Sequence, residues 1–207
     1  MTAQLVPSGL AVADIGSDHA FLPVYLVGQG ISPRAVAADI GAGPLRNAAE
    51  TVARAGLQDK IELRLSDGFS RFAAVDASCW VMAGMGGTLM VRMLDAAPWL
   101  QSPGTVLVAQ AMRHAYDLRE WLISHGFRIE TELACRDAGR VYAALRAVYD
   151  GAVRAYPPGY SYYGELLRNY DECSREKLSR ELALLRVRCE HDENLKEAYD
   201  DFSARYL

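Results

Sequence analysis

Between Leu10 and Tyr149, short apolar runs alternate with segments whose apolar residues recur at helical spacing. The runs are Leu10–Ile15, Ala35–Ile40, Lys60–Leu65, Ala77–Ala83 and Gly104–Ala109. The third alternates, whereas the other four are nearly continuous in apolar character, which suits strands covered on both faces of a parallel sheet. Helices are predicted over 43–55, 88–97 and 114–124. Pro44 suits a first helical turn, and Gly56, Pro98 and Gly126 mark the stops. Alternation of this kind predicts a doubly wound α/β sheet. The pattern then changes. Phe127–Ala134 and Val141–Tyr149 both read as strands, and Cys135–Arg140 is too short for a parallel crossover, so an antiparallel hairpin is predicted.

Tyr156-Pro-Pro-Gly-Tyr160 marks a linker. Beyond it, Leu178, Leu182, Leu185 and Cys189, and then Leu195, Tyr199, Phe202 and Tyr206, each form one stripe on a helix. The longer step from Cys189 to Leu195 breaks the heptad. Two helices meeting as an antiparallel hairpin are therefore predicted, with one kinked helix as the alternative, docked on the sheet or on an earlier helix around Tyr162–Tyr170. This divides the chain into a sheet domain over 1–151 and a linker with a coiled-coil-like appendage over 152–207.

Ligands of open α/β sheets bind outside the carboxyl ends of the strands, so the loops there carry the candidate chemistry. Asp14-Ile-Gly-Ser-Asp-His-Ala-Phe-Leu-Pro23 follows the first strand. Gly16 permits a sharp turn and close backbone approach. Asp18 stands where a dinucleotide fingerprint has its second glycine, and an acid there disfavours a pyrophosphate. Acids suit a cationic ligand instead: Asp14 and Asp18 can bond an ammonium, although Asp18 could simply cap the next helix. His19 could shape the pocket, bond the ligand or only pack. Asp39, followed by Ile40, ends the second strand where a ribose acceptor stands. Asp67-Gly68 follows the third, a place for holding an adenine amino group or for a plain turn and cap. Ala83-Gly84-Met85-Gly86-Gly87 follows the fourth, with room for a flat base, a soft apolar wall in Met85 and no general base.

Composition adds limits. The chain has 207 residues, 51% hydrophobic and 23% charged, an ordinary globular mixture. A net charge of −4 argues against a surface that is basic all over, as in many nucleic-acid-binding domains. The charge is uneven, however. Arg175, Lys177, Arg180, Arg186 and Arg188 are opposed only by Glu176 and Glu181, while Glu190–Asp201 holds six acids and one Lys. The basic helix, with Arg113, could contact phosphates, or the two helices could pair electrostatically. The longest apolar runs are too short for a membrane span, and the first residues lack the pattern of a signal peptide. Cys79, Cys135, Cys173 and Cys189 form no C-x-x-C pair, so reduced thiols in a cytoplasmic protein are expected, with neither a metal nor a disulfide framework.

Five βα units closed by a hairpin are the layout of class I, Rossmann-like methyltransferases that use S-adenosyl-L-methionine (SAM), with a mostly parallel seven-stranded sheet. Ala13-Asp-Ile-Gly-Ser-Asp-His-Ala-Phe-Leu-Pro23, Gly43-Pro-Leu45, Leu65-Ser-Asp-Gly68 and Ala83-Gly-Met-Gly-Gly87 stand in the order and spacing of one family. The chain resembles the bacterial tRNA (adenine-22-N1)-methyltransferases of the TrmK type, and the resemblance runs from about Leu10 onward. Gln110, Leu118-Arg-Glu-Trp-Leu122, Gly126-Phe127, the hairpin and the helical appendage belong to it too. It implies that SAM is held by Asp14, Gly16, Ser17, Asp18, His19, Asp39, Ile40, Asp67, Gly68, Ala83, Gly84 and Met85. It implies a catalytic set of Asp18, Met85, Gly86 and Gln110, with Gln110 reading the adenine edge. The partner it implies is tRNA, for which Arg113, Arg175, Arg180, Arg186 and Arg188 are the candidate contacts; the oligomeric state is left open, with a monomer favoured. Two departures stand out: Ala111-Met112-Arg113 replaces the family's Pro, often followed by Asn, and only nine residues precede the first strand.

Adenine N1 has an in-plane lone pair, so its methylation needs positioning rather than a strong base, and the base must be unpaired or turned out. The alternatives are a methyltransferase of another RNA base or small molecule, a SAM-binding RNA-binding protein without catalysis, and an NAD oxidoreductase. Asp18 and the terminal hairpin disfavour the last of these. The chain has no N/D-P-P-Y motif, which argues against methylation of an exocyclic adenine amine.

Overall fold

The computed structural model describes residues 1–207. A single helical turn, α1 (Thr2–Leu5), precedes β1 (Val12–Ile15), α2 (Phe21–Gly28), β2 (Ala35–Asp39), α3 (Ala42–Ala55), β3 (Ile61–Leu65), β4 (Cys79–Met85), α4 (Gly87–Asp95), β5 (Val106–Ala111) and α5 (Ala115–Ser124). The hairpin β6 (Phe127–Asp137) and β7 (Arg140–Tyr149) follows, then α6 (Tyr160–Tyr163), α7 (Glu172–Cys189) and α8 (Lys196–Tyr206).

The seven strands lie in the order β3-β2-β1-β4-β5-β7-β6. β1 to β5 are parallel, and β7 inserts antiparallel between β5 and β6. The hairpin pairs Asp137 with Arg140 across Ala138-Gly139, whose φ values of 44° and 74° fit a type I′ turn. The doubly wound, mostly parallel seven-stranded sheet is the one the residue pattern predicts. The sequence reading stops β4 at Ala83 and β5 at Ala109, but both strands run two residues further. Met85 pairs with Ala111 beyond a bulge at Gly84, so part of the glycine segment is strand rather than loop.

Two apolar clusters flank the sheet. One gathers Leu5, Leu26, Val52 and Val81; the other gathers Trp80, Met90, Leu118, Phe127 and Leu145. The second also contains Leu178, Leu182, Leu185 and Phe202, so α7 and α8 share a core with the sheet. Trp80 lies edge-on to Phe69, Phe72 and Trp99. Burial pushes the Cys79 thiol up to about 12, which makes it a packing residue.

α7 and α8 form an antiparallel hairpin: Tyr206 at the end of α8 donates from its hydroxyl to the Arg175 carbonyl near the start of α7 (3.0 Å). No ion pair joins the two helices, so electrostatic pairing of a basic helix with an acidic one is not what holds them. Asp201 accepts from the Gly159 N–H and the Tyr163 hydroxyl and pairs with Arg205 on its own helix. Phe202, Leu185 and Leu182 supply the packing.

A buried ion pair fixes this assembly to the sheet. Arg119 of α5 meets Glu132 of β6 at 3.0 Å, both side chains being 2% exposed. The same guanidinium donates to the Ser161 and Tyr162 carbonyls, and Glu132 accepts the Glu165 N–H at 2.7 Å. Desolvation raises the Glu132 carboxyl above its ordinary range, opposed by Arg119.

Candidate active site

The parallel register brings the ends of five strands to one edge. Ile15 lies beside Ala38 and Met82, Asp39 beside Leu65, and Ala83 beside Gln110. β1 and β4 are neighbours although β2 and β3 come between them in sequence. Strand order therefore reverses at that point, where open α/β sheets bind ligands. A cleft of about 650 Å³ opens there, lined by Asp14, the 16–22 loop, Tyr25, Ala83 and residues Met1–Gln4.

Asp14 sits at the floor, 6% exposed. Burial pushes its carboxyl up to about 6, partly opposed by a hydrogen bond with Ser17. Beside it the chain turns at Gly16 (φ 80°), where a Cβ would come 2.9 Å from the Met85 methyl group. The left-handed φ is what favours glycine at position 16, and a side chain there would also push the Met85 methyl aside.

Asp18 points into solvent, 3.4 Å from His19 Nε2, and the His19 ring stacks on Phe21 at 5.1 Å. Asp18 does not cap α2: that helix starts after Ala20, without a side-chain cap. Asp39 accepts the Gly41 N–H on Oδ1 at 2.7 Å, which leaves Oδ2 for a hydroxyl donor. Ile40 next to it is exposed. Asp67 is exposed in a turn held by Ser66, whose hydroxyl donates to the Gly68 carbonyl and accepts the Arg71 N–H. No helix starts there for Asp67 to cap.

The other lip joins two loops. Gln110 accepts the Gly84 N–H on its side-chain carbonyl at 3.0 Å, and its amide group lies 3.5 Å from the Met112 sulfur. Half of the predicted base-reading group is thus already occupied in shaping the glycine segment. The Met112 N–H donates to the Met85 carbonyl and the Gly87 N–H to the Arg113 carbonyl, both at 2.8 Å. A Cβ on Gly87 would overlap the His114 carbonyl oxygen. Ala111-Met112-Arg113 therefore closes tightly over Met85 and Gly86. His114 takes φ 56° and contacts the Thr88 hydroxyl through Nδ1 at 3.2 Å.

The predicted RNA-binding residues do not form one surface. Lys177, Glu181, Leu184 and Arg188 share the α7 face that meets Met112, Arg113 and Tyr116. At 100° per residue Arg180 lies close to that face, whereas Arg175 and Arg186 lie about half a turn away. Arg175 covers the Tyr170 ring instead, at 5.3 Å. Arg180 pairs with Glu176 within its own helix, and Arg188 lies over Tyr116. The sequence names Lys177 within the basic helix but not in the RNA-contacting set, and nothing in it marks His114, Tyr116 and Tyr162 as members of this surface.

The chain can be set beside known proteins. A model of the methyltransferase domain matches residues 1–145. The tRNA (adenine(22)-N(1))-methyltransferase of Bacillus subtilis (strain 168) is 34% identical over 156 residues, which cover 72% of this chain and 66%, just under two thirds, of that protein. A crystal structure of a Streptococcus pneumoniae candidate tRNA (m1A22) methyltransferase, in complex with SAM, is 30% identical. It superposes with a TM-score of 0.84 over 100% of this chain and 96% of the other. The B. subtilis M1A22 tRNA methyltransferase TrmK superposes with a TM-score of 0.81 at 27% identity, covering 99% of this chain and 92% of its own.

Proposed function

Because the chain belongs to the methyltransferase-domain family and, within it, to the tRNA (adenine-22-N1)-methyltransferases, we propose that it transfers the methyl group of SAM to N1 of adenine 22 in tRNA. The observation that carries this reading is the cleft itself. A desolvated carboxyl lies at its floor, and a glycine segment without a general base forms its lip.

The residues present fit the cofactor. A buried acid with its titration raised gains from a cationic partner, and Asp14 is such an acid two residues before the turn at Gly16. Asp14, Ser17 and Asp18 would hold the methionine end. Asp39 would accept a ribose hydroxyl on its free oxygen, Ile40 would cover one face of the adenine, and the Asp67-Gly68 turn would meet its amino edge. Bound SAM supplies a methyl group activated by a sulfonium. The chain's own work is to aim the acceptor. Met85 and the backbone of Ala83–Gly86 shape a slot for a flat base, and Gln110 keeps that backbone in place through Gly84. The neutral lone pair of N1 needs no base, so in-line positioning carries the rate. The positive charge left on the methylated base is met by the Asp18 carboxylate and the carbonyls of this segment.

tRNA would approach over Arg113, Lys177 and Arg188, which line one cavity beside the loop that closes over the glycine segment, with Arg180 on the flank of the same helix face. Such a substrate places the protein in the cytoplasm, in keeping with its four unpaired thiols; no helix is long and apolar enough to cross a membrane. Incubation with labelled SAM and unmodified total tRNA, followed by nucleoside analysis, tests the proposal. N1-methyladenosine is expected, and it should vanish when adenine 22 is replaced by guanosine. Label in another nucleoside would reassign the acceptor, and no label despite SAM binding would overturn the reaction.

A further inference from the structure

A second cavity, of about 460 Å³, lies between the loop after β5 and α7, and the chemistry above leaves it unused. Three of its rings form one column. Tyr162 stacks on Tyr116 (5.2 Å, 20°) and Tyr116 on His114 (5.7 Å, 26°). The Arg188 guanidinium lies 4.5 Å from the Tyr116 centroid and 5.8 Å from that of Tyr162. Arg113 and Lys177 stand at the rim with a single acid, Glu181, which pairs with Lys177 at 2.9 Å. Leu184 and Val187 add apolar edges while remaining 61% and 55% exposed. The column begins at the lip of the first cleft, because Gly87 abuts the His114 carbonyl and Thr88 bonds its ring.

We propose that this cavity is a stacking subsite for a second unpaired base of the RNA, a neighbour of the target adenine, whose phosphate meets Arg113 and Arg188. The inference rests on the reading of the chain as an RNA methyltransferase and adds where the strand is held. Turning a base out of a helix unstacks its neighbours at a cost of a few kcal/mol, and a second aromatic platform offsets part of that cost. Tyr116 is covered by Tyr162, His114 and Arg188, so the open face of the platform is that of His114 at the end of the column; any base has a face to offer it, so the subsite holds the strand without reading its sequence. The cationic rim selects a phosphodiester over an uncharged apolar partner, and the volume suits a single base.

Substitution at two exposed positions, Leu184 and Val187, tests this without disturbing the core. Leu184→Glu and Val187→Glu each place a carboxylate at the rim, and both should weaken tRNA binding at least tenfold. SAM affinity and melting temperature should stay at wild-type values. Tyr116→Leu removes the ring that backs His114 and should weaken tRNA binding about tenfold or more, and Tyr116→Phe should restore it. Filter binding of unmodified tRNA without SAM reads the subsite directly. Failure of the wild-type protein to methylate tRNA therefore overturns the assigned reaction and leaves this test intact. Wild-type tRNA affinity in Val187→Glu and Tyr116→Leu overturns the subsite, as does an equal loss in Tyr116→Phe and Tyr116→Leu.

Discussion

Asp14 shows how one side chain sets ligand affinity against stability. Its carboxyl titrates near 6 in the folded chain and near 3.8 when unperturbed. Between these values the unfolded chain has already lost the proton that the folded chain keeps, so stability falls as pH rises from about 4 to about 6 and is flat above. The whole loss is about 3 kcal/mol. Asp14→Asn should therefore melt higher than wild type at pH 7.5 and gain nothing at pH 4, while SAM binding disappears. The wild type should bind SAM more tightly at pH 7 than at pH 5, releasing a proton, because the ammonium needs the ionised carboxylate. Calorimetry in two buffers of different ionisation enthalpy measures that proton, and equal affinity at both pH values would remove Asp14 from the ammonium site. Gly87 makes a purely steric case. Gly87→Ala must move one of two backbones, at a cost of about 1–3 kcal/mol. Since the shift falls on the lip rather than the floor, methyl transfer should drop more than SAM affinity does.

At the scale of elements, the ion pair of Arg119 with Glu132 joins α5, β6 and the segment leading into α7. Removing one partner leaves the other buried and uncompensated, so Arg119→Met should cost about 3–5 kcal/mol. The double variant Arg119→Met, Glu132→Leu should recover most of that, because an apolar pair of similar volume needs no desolvation. Chemical denaturation of the two proteins decides it, and equal destabilisation would mean the charges do not act as a pair. The pair also marks where the sequence stopped being legible. The β6–β7 hairpin was readable because its connection is too short for a crossover, and the Asp14–Gly16 turn because few residue types suit it. Glu132 carried no such mark: inside an alternating strand it reads as a solvent-facing acid, and its partner lies on a helix. Gln110 stands out in the sequence, but its bond to the Gly84 N–H does not, because the two meet only through the β4–β5 register.

For the whole molecule, charge must be read in three dimensions. Summed along the chain, α7 is a basic strip; wound into a helix, it divides. Lys177 and Arg188 turn toward Arg113 and the cavity beside it, Arg180 lies on the flank of that face, and Arg175 and Arg186 turn away. On the proposed path, a tRNA whose target base enters beside Met85 would pass over the first set only. Arg113→Glu and Arg180→Glu should each weaken tRNA binding several-fold and reduce the slope of log affinity against log salt by about one. Arg175→Glu and Arg186→Glu should leave both nearly unchanged. The ion pair of Arg180 with Glu176 is exposed, so its loss costs little and the melting temperature should hold. Binding curves at three salt concentrations separate the two sets. If Arg186→Glu matched Arg180→Glu in affinity and in slope, the RNA would wrap α7 rather than cross one face of it. The path from the glycine segment over the aromatic column would then be the wrong one.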